Sequence, residues 1–335
     1  MFVDEDGLIA AIRRGAPPAH PGQLGIGDDA ALLPIRRGFR CVLSVDDHVE
    51  NVHFRHRWCP PANIGRRAAG AALSDLAAMG ARPRGALLSL HVPEAIDSAL
   101  LEEVSAGIGA KLARHACPLL GGNITRSAGG LALSITVIGE VGWRAELRRN
   151  AAEDGDRLWI TRLPGTAKVA LSYLEGRRPP LDDEVELAIE RYLNPEPEIM
   201  TGRALSRLAA PLDRSLACLD ISDGLARDAA RLARASGLTI ELDLERIVSP
   251  TLSRLASLIE GDAARLALSS GEEYSLLVAA PGALDSELAS LGLERIGALR
   301  HGPSVVVCSD GTVIDPLSAH DHLSSAKSGD APSSS

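Results

Sequence analysis

Carboxylates in this chain recur in short apolar settings lined by Gly and Ala rather than in solvated charge runs. LGIGDDAALL (24–33), LSVDDHVE (43–50), AALSDLAAMGARP (71–83), CLDISDGL (218–225) and SSGEEYSLL (269–277) share the pattern. An acidic side chain flanked by Ile, Leu and Ala is expensive to bury unless a cation compensates it. The repetition suggests a common cation, and Mg²⁺ carried with a polyphosphate is the chemistry that such hard oxygen ligands suit.

Each segment also has a plainer explanation. In LDISDGLARD an apolar strand ends at Asp220, and Ser222 or Asp223 can N-cap a helix beginning near Gly224. A helix N-terminus is a natural phosphate site, and Asp220 and Asp223 could both reach a metal carried by that phosphate. An ordinary cap with one structural Asp fits equally. GGNITRSAGG (121–130) reads as a Gly-rich turn before a long strand. Its backbone allows close approach to an anion, and Thr125 and Arg126 can donate to phosphate, but a simple turn needs the same glycines. Asp75 sits on an Ala-rich helix among Leu73, Leu76 and Met79, where it either faces a site or marks a solvated stripe. His53, close to the Asp46–Asp47 pair, could bind a metal or a ligand, or be structural. No G-x-x-x-x-G-K-[ST] loop occurs, and no G-x-G-x-x-G follows a strand.

The elements that must carry these residues alternate along the chain. A short helix is expected at 5–14, a strand at 40–46 ending on Asp46, a helix at 62–79 stopped by Gly80, a strand at 85–92, a helix at 95–114 and a strand at 129–141. The polar stretch RAELRRNAAEDGD (144–156) marks a domain boundary. Beyond it come a strand at 157–162, helices near 165–175, 184–192 and 198–209, a strand at 215–220, a helix at 224–236 and a strand at 238–242. This order implies sheets covered by helices. The expected division is 1–148, 149–323 and a low-complexity, disordered tail at 324–335.

Composition narrows the function classes. The 335 residues are 45% hydrophobic but only 3% aromatic, so Ala, Leu, Val and Ile must build the core. A net charge of −9 without a basic stripe argues against a nucleic-acid surface. Arg66–Arg67 and Arg148–Arg149 read as short solvated clusters. Five scattered cysteines without a CxxC pair fit reduced thiols rather than a disulfide framework or a zinc site. No apolar run approaches a membrane span, and the start of the chain does not resemble a signal peptide. A cytoplasmic protein is expected.

Taken in order, LGIGDDAALL, S-x-D-x-x-V-E-x-x-HF, LSDLAAMGARP, GGN-x-TR, the Arg before the A-x-x-GD turn, DISDGL and GE-x-Y resemble the thiamine-monophosphate kinase family. That family belongs to the superfamily of aminoimidazole ribonucleotide synthetase and selenophosphate synthetase. The likeness spans roughly residues 20–280. It implies a two-domain α+β fold whose N-terminal sheet forms a barrel in a homodimer, with an α/β sandwich behind it. It also implies ATP-dependent phosphorylation of thiamine monophosphate in a cleft between the domains. By resemblance, Asp29, Asp46, Asp75, Asp220 and Asp223 would ligate Mg²⁺. Gly121, Gly122, Asn123, Arg149 and Ser222 would hold ATP, and His53 and Glu272 would face the substrate. No general base is implied, because a phosphate nucleophile is already an anion.

The chain departs from that family at several places. GGN stands where GGD is usual, so Asn123 is neutral where an acid is expected. Val45 replaces a Thr between Ser44 and Asp46. Glu273 and Ser275 replace Asp and Glu in GEDYEL, and an aromatic-rich C-terminal segment is replaced by one containing His320 and His322. Two other readings accompany the kinase: a superfamily enzyme acting on another small phosphorylated substrate, and an inert nucleotide-binding homologue. The retained aspartates weigh against the inert one, since buried acids without a use are costly.

Overall fold

The computed structural model describes residues 12–21, 23, 33–176, 181–212, 214–308 and 311–314. Asp29, most of the helix expected at 5–14, His320, His322 and the 324–335 tail lie outside the described residues.

Among the described residues the first sheet is built from β1 (Phe39–Val49), β2 (Arg82–Pro93), β3 (Leu119–Ser127) and β4 (Ala132–Gly142) in the order β1-β4-β2-β3. β1 and β2 run antiparallel to β4, and β3 runs parallel to β2. Two helices cover one face: α1 (Pro61–Ala78) and α2 (Ser98–Arg114). The other face carries the alternate residues of each strand, and on β1 these include Cys41, Leu43 and Val45, all exposed.

α1 is the hub. Thirteen of its 18 residues are buried, so it has no solvated face. Its small side chains are what permit this. A Cβ at Gly65 would strike the Val104 carbonyl of α2, and one at Gly107 of α2 would strike the Ala62 carbonyl, so the two helices cross at backbone contact. Gly80 follows the helix at φ +68°, the left-handed stop expected there.

The second sheet has β5 (Arg157–Ile160), β6 (Ala217–Asp220), β7 (Thr239–Leu242), β8 (Leu276–Ala280), β9 (Glu294–Arg300) and β10 (Val306–Cys308), in the order β10-β7-β9-β5-β8-β6. Around it lie α3 (Thr166–Leu174), α4 (Asp183–Leu193), α5 (Ile199–Ala209), α6 (Leu225–Ser236), α7 (Leu244–Ile247), α8 (Pro250–Leu258), α9 (Ala263–Ser269) and α10 (Asp285–Ser290). Both sheets are mixed, giving an α+β architecture. One apolar core joins Leu73, Leu76 and Ala77 of α1 to Leu205 of α5 and to Cys218, Leu276 and Val278 of the second sheet. No helix among the described residues is long and apolar enough to cross a membrane.

Two expectations are corrected. Residues 121–123 do not form a turn; they lie within β3, the edge strand. Leu87 pairs with Gly121 and Ser89 with Asn123. A glycine pair without apolar alternation carries no strand signature, and β2 supplies the order instead. Arg67 is not solvated: its side chain is completely buried, held by partners remote in sequence.

A carboxylate-walled cavity between the two sheets

A cavity of about 260 Å³ opens where α1, the end of β1 and the β6–α6 turn converge. β1 contributes Asp46 and His48 from its inward face, and His53 follows from the next turn. α1 contributes Ala71 and Asp75. Arg149 reaches in from the segment after β4, and Asp220, Ser222 and Asp223 come from the β6–α6 turn. Glu272 and Tyr274 close the wall from the loop before β8. Of the residues expected to act, eight therefore share one cavity: Asp46, Asp75, Asp220, Asp223, Arg149, Ser222, His53 and Glu272.

Burial without full compensation shows in the acids. Burial first, and then the charge of Asp75, push Asp46 up to about 7 from the ordinary 3.8. The same two causes raise Asp220 to about 7, against the hydrogen bond from Ser74. Asp75 is also raised by burial, opposed by the Ser44 hydroxyl and by Arg149. Ser74 Oγ donates to Asp220 Oδ2 at 2.7 Å, and Ser44 Oγ donates to Asp75. These acids, from three separate segments, repel each other across a shared space that contains the Arg149 guanidinium.

Asp223 behaves differently. Its carboxylate pairs with Arg231, and Arg227 Nη1 lies 4.0 Å away. The expected cap by Ser222 or Asp223 is corrected too. Gly224, at φ +110°, is the N-cap residue of α6 and no side chain caps it. Instead Asp228, one turn into the helix, accepts from the backbone N–H groups of Ser222 and Asp223, each at 3.0 Å. The acid that secures the turn thus lies after it in sequence, where a forward capping pattern does not look.

His53 Nδ1 accepts from the Val49 N–H at 3.0 Å. In the neutral ring the proton then resides on Nε2. His48 stacks on it, with ring centroids 5.2 Å apart and planes 26° from parallel. His48 was not singled out from the sequence, although the alternation Ser44, Asp46, His48 along β1 places it on the same face as Asp46.

Gly121, Gly122 and Asn123 do not line this cavity. β3 is three strands from β1, about 14 Å across a sheet. Asn123 shares a row with Ser89, Ser134 and Asp47, and Asp47 belongs to the set of β1 residues opposite to Asp46. Those residues lie on the open face of the sheet.

Among the described residues, no three His, Cys, Asp or Glu side chains form a ready-made metal cluster. All the acids that share the cavity nevertheless offer oxygen ligands only, the donor type that suits Mg²⁺.

The model for AIR synthase related protein, N-terminal domain, matches residues 27–141. A thiamine-monophosphate kinase of Escherichia coli O157:H7 is 36% identical over 277 residues, covering 81% of this chain and 82% of that protein. The crystal structure of thiamine-monophosphate kinase from Stenotrophomonas maltophilia K279a superposes with TM-score 0.76 at 32% identity, covering 93% of this chain and 97% of that one. A structure of AaThiL complexed with AMPPCP and TMP gives TM-score 0.75 at 28% identity, covering 94% and 96%.

Proposed function

The chain belongs to the thiamine-monophosphate kinase family, and from that premise we propose that it transfers the γ-phosphoryl group of ATP to thiamine monophosphate in one in-line step, yielding thiamine diphosphate and ADP. The observation that carries this reading is the convergence of Asp46, Asp75 and Asp220 with Arg149 in one cavity. The neighbour complexed with AMPPCP, an ATP analogue, and TMP supports both substrates.

The acceptor phosphate is already anionic, so no residue need remove a proton; the difficulty is bringing two polyanions together. Asp46, Asp75 and Asp220 would hold Mg²⁺, with Asp223 and Asp29 joining as the resemblance implies, and the ion would neutralise phosphate oxygens when bound. The raised carboxyls fit such a group, because each is an acid short of a cation. The scatter of the ligands fits ions that arrive with the nucleotide's own oxygens. Arg149 offers a fork of N–H donors to ATP phosphate, and the Ser222 hydroxyl offers another donor beside it. His53 presents Nε2–H to the acceptor, and Glu272 presents a carboxylate.

In this proposal the chain divides at 148–149 and pairs as a homodimer through the open face of its first sheet. Exposed Leu43 and Val45 support that surface. Gly121 and Asn123 then lie on the face a second copy covers, with Gly122 between them, in a position to serve ATP beside the subunit boundary. The decisive experiment incubates the purified protein with ATP, MgCl₂ and thiamine monophosphate. Thiamine diphosphate formed in step with ADP is expected; ATP binding without that product rejects thiamine monophosphate as substrate.

A further inference from the structure

One stripe of α1 carries the side of the cavity that faces the helix. Arg67, Ala71, Ser74 and Asp75 follow at helical spacing along a single face. Ala71 and Asp75 line the cavity, and Ser74 holds Asp220. Arg67 lies one turn below and does not line it, yet its side chain is completely buried. A buried guanidinium persists only where partners offset its desolvation. Arg67 Nη1 donates to the Tyr192 carbonyl, and its plane lies 3.8 Å above the Tyr192 ring centroid. Its Nη2 sits 2.5 Å from Glu272 Oε1.

Glu272 is fixed through its backbone as well. Glu272 has φ +59° and Tyr274 has φ +51°, in the left-handed region that side-chain-bearing residues avoid. Two hydrogen bonds pin this shape to the neighbouring turn: Glu272 N–H to the Ser222 carbonyl at 2.7 Å, and Tyr274 N–H to the Ile221 carbonyl at 2.9 Å. Such conformations survive where the surroundings over-determine them, and they gather at ligand sites. Backbone and carboxylate are thus both held, one by the β6–α6 turn and the other by Arg67.

We infer that Arg67 is a positioning residue for the acceptor substrate: from outside the cavity it holds and aims the Glu272 carboxylate, so that Glu272 receives a hydrogen-bond donor or cationic group of the substrate rather than its phosphate. The chemistry follows from the pair. A carboxylate carries several acceptor lone pairs on two oxygens, and both Arg67 and the Tyr192 hydroxyl engage this one. The cavity side of the same carboxylate can then take a donor. Thiamine monophosphate offers a thiazolium cation and an aminopyrimidine NH₂ at the end away from its phosphate. The inference rests on the reading of Glu272 as substrate-facing.

The test uses the full-length enzyme in steady-state turnover of ATP and thiamine monophosphate, with Glu272→Gln, Arg67→Met, the double variant and Arg67→Lys. Glu272→Gln and Arg67→Met should each raise KM for thiamine monophosphate about tenfold, leave KM for ATP within about twofold, and combine without multiplying. Arg67→Lys, which keeps the cation but loses the fork, should fall between wild type and Arg67→Met. If Arg67→Met does not fold, Arg67→Lys carries the comparison: a rise in the thiamine monophosphate KM alone supports positioning, and equal movement of both KM values overturns it. An unmoved KM in Glu272→Gln rejects the substrate-facing role of Glu272. A raised KM there with none in the Arg67 variants, or multiplying effects in the double variant, rejects the positioning role alone.

Discussion

Between about pH 4 and pH 7, Asp46 and Asp220 of the folded chain hold protons that the unfolded chain has released. Both carboxyls are raised from 3.8 to about 7, chiefly by burial and next by Asp75. Any stabilisation from this tighter proton binding is complete below about pH 4, declines as pH rises, and is gone above about pH 7. The metal-free protein should therefore gain stability from Asp220→Asn, and the gain in Tm over wild type should grow between pH 5 and pH 8. A gain that shrinks over that range would contradict the raised carboxyl. The same substitution removes a proposed metal ligand. Asp220→Asn and Asp75→Asn should each reduce kcat by at least about a hundredfold while the far-ultraviolet circular dichroism stays unchanged. Retained turnover would reject the carboxylate site. Asp46, Asp75 and Asp220 were legible in the sequence because an acid among Leu, Ile and Ala is conspicuous. Arg67 was not, since the residues that bury it, Tyr192 and Glu272, are more than a hundred positions away.

Elements were read best where one periodicity dominated. β1, β2 and β4 alternate along their length, and α1 lies between recognisable limits, Pro61 at its start and Gly80 beyond its end. β3 was missed because Gly121-Gly122-Asn123 has no apolar alternation; its order comes from β2, where a Cβ at Gly122 would strike the Leu88 carbonyl. The β6–α6 turn was located correctly, but its fastening was not. Ser222 and Asp223 do not cap the helix; their N–H groups are held by Asp228, whose carboxylate also pairs with Arg231 at 2.5 Å. Removing that carboxylate leaves two backbone donors without their acceptor and Arg231 with Asp223 alone. Asp228→Ala should therefore destabilise the protein by about 3 kcal/mol in urea unfolding. It should also raise KM for ATP more than KM for thiamine monophosphate, because Ser222 loses its anchor. A stability loss with both KM values unmoved would mean that the turn does not set the nucleotide site.

At the scale of the molecule, the first sheet is covered on one side only among the described residues. α1 and α2 bury the inner face, while Leu43 and Val45 on the outer face are 65% and 61% exposed. Beyond them in the same set of residues runs the polar row of Asp47, Ser134, Ser89 and Asn123. Exposed apolar side chains beside a polar row are the kind of surface that a protein interface uses. A second copy meeting it would remove Leu43 and Val45 from water and bring Gly121, Gly122 and Asn123 under the partner's edge. Composition could not reveal this, because strand alternation with an apolar outer face looks the same as a strand buried on both sides. Light scattering after gel filtration should give twice the mass of one chain for the wild type and a single-chain mass for the Leu43→Lys, Val45→Lys double variant. Neither position lines the carboxylate cavity, so the variant should keep the fold and the arrangement of that cavity. If Gly121–Asn123 serve ATP beside the subunit boundary, the monomeric variant should also bind ATP about tenfold more weakly, an effect that dilution of the wild type to its monomer should reproduce. A monomeric variant with unchanged ATP affinity would separate the two ideas, leaving the dimer in place and removing β3 from the nucleotide site.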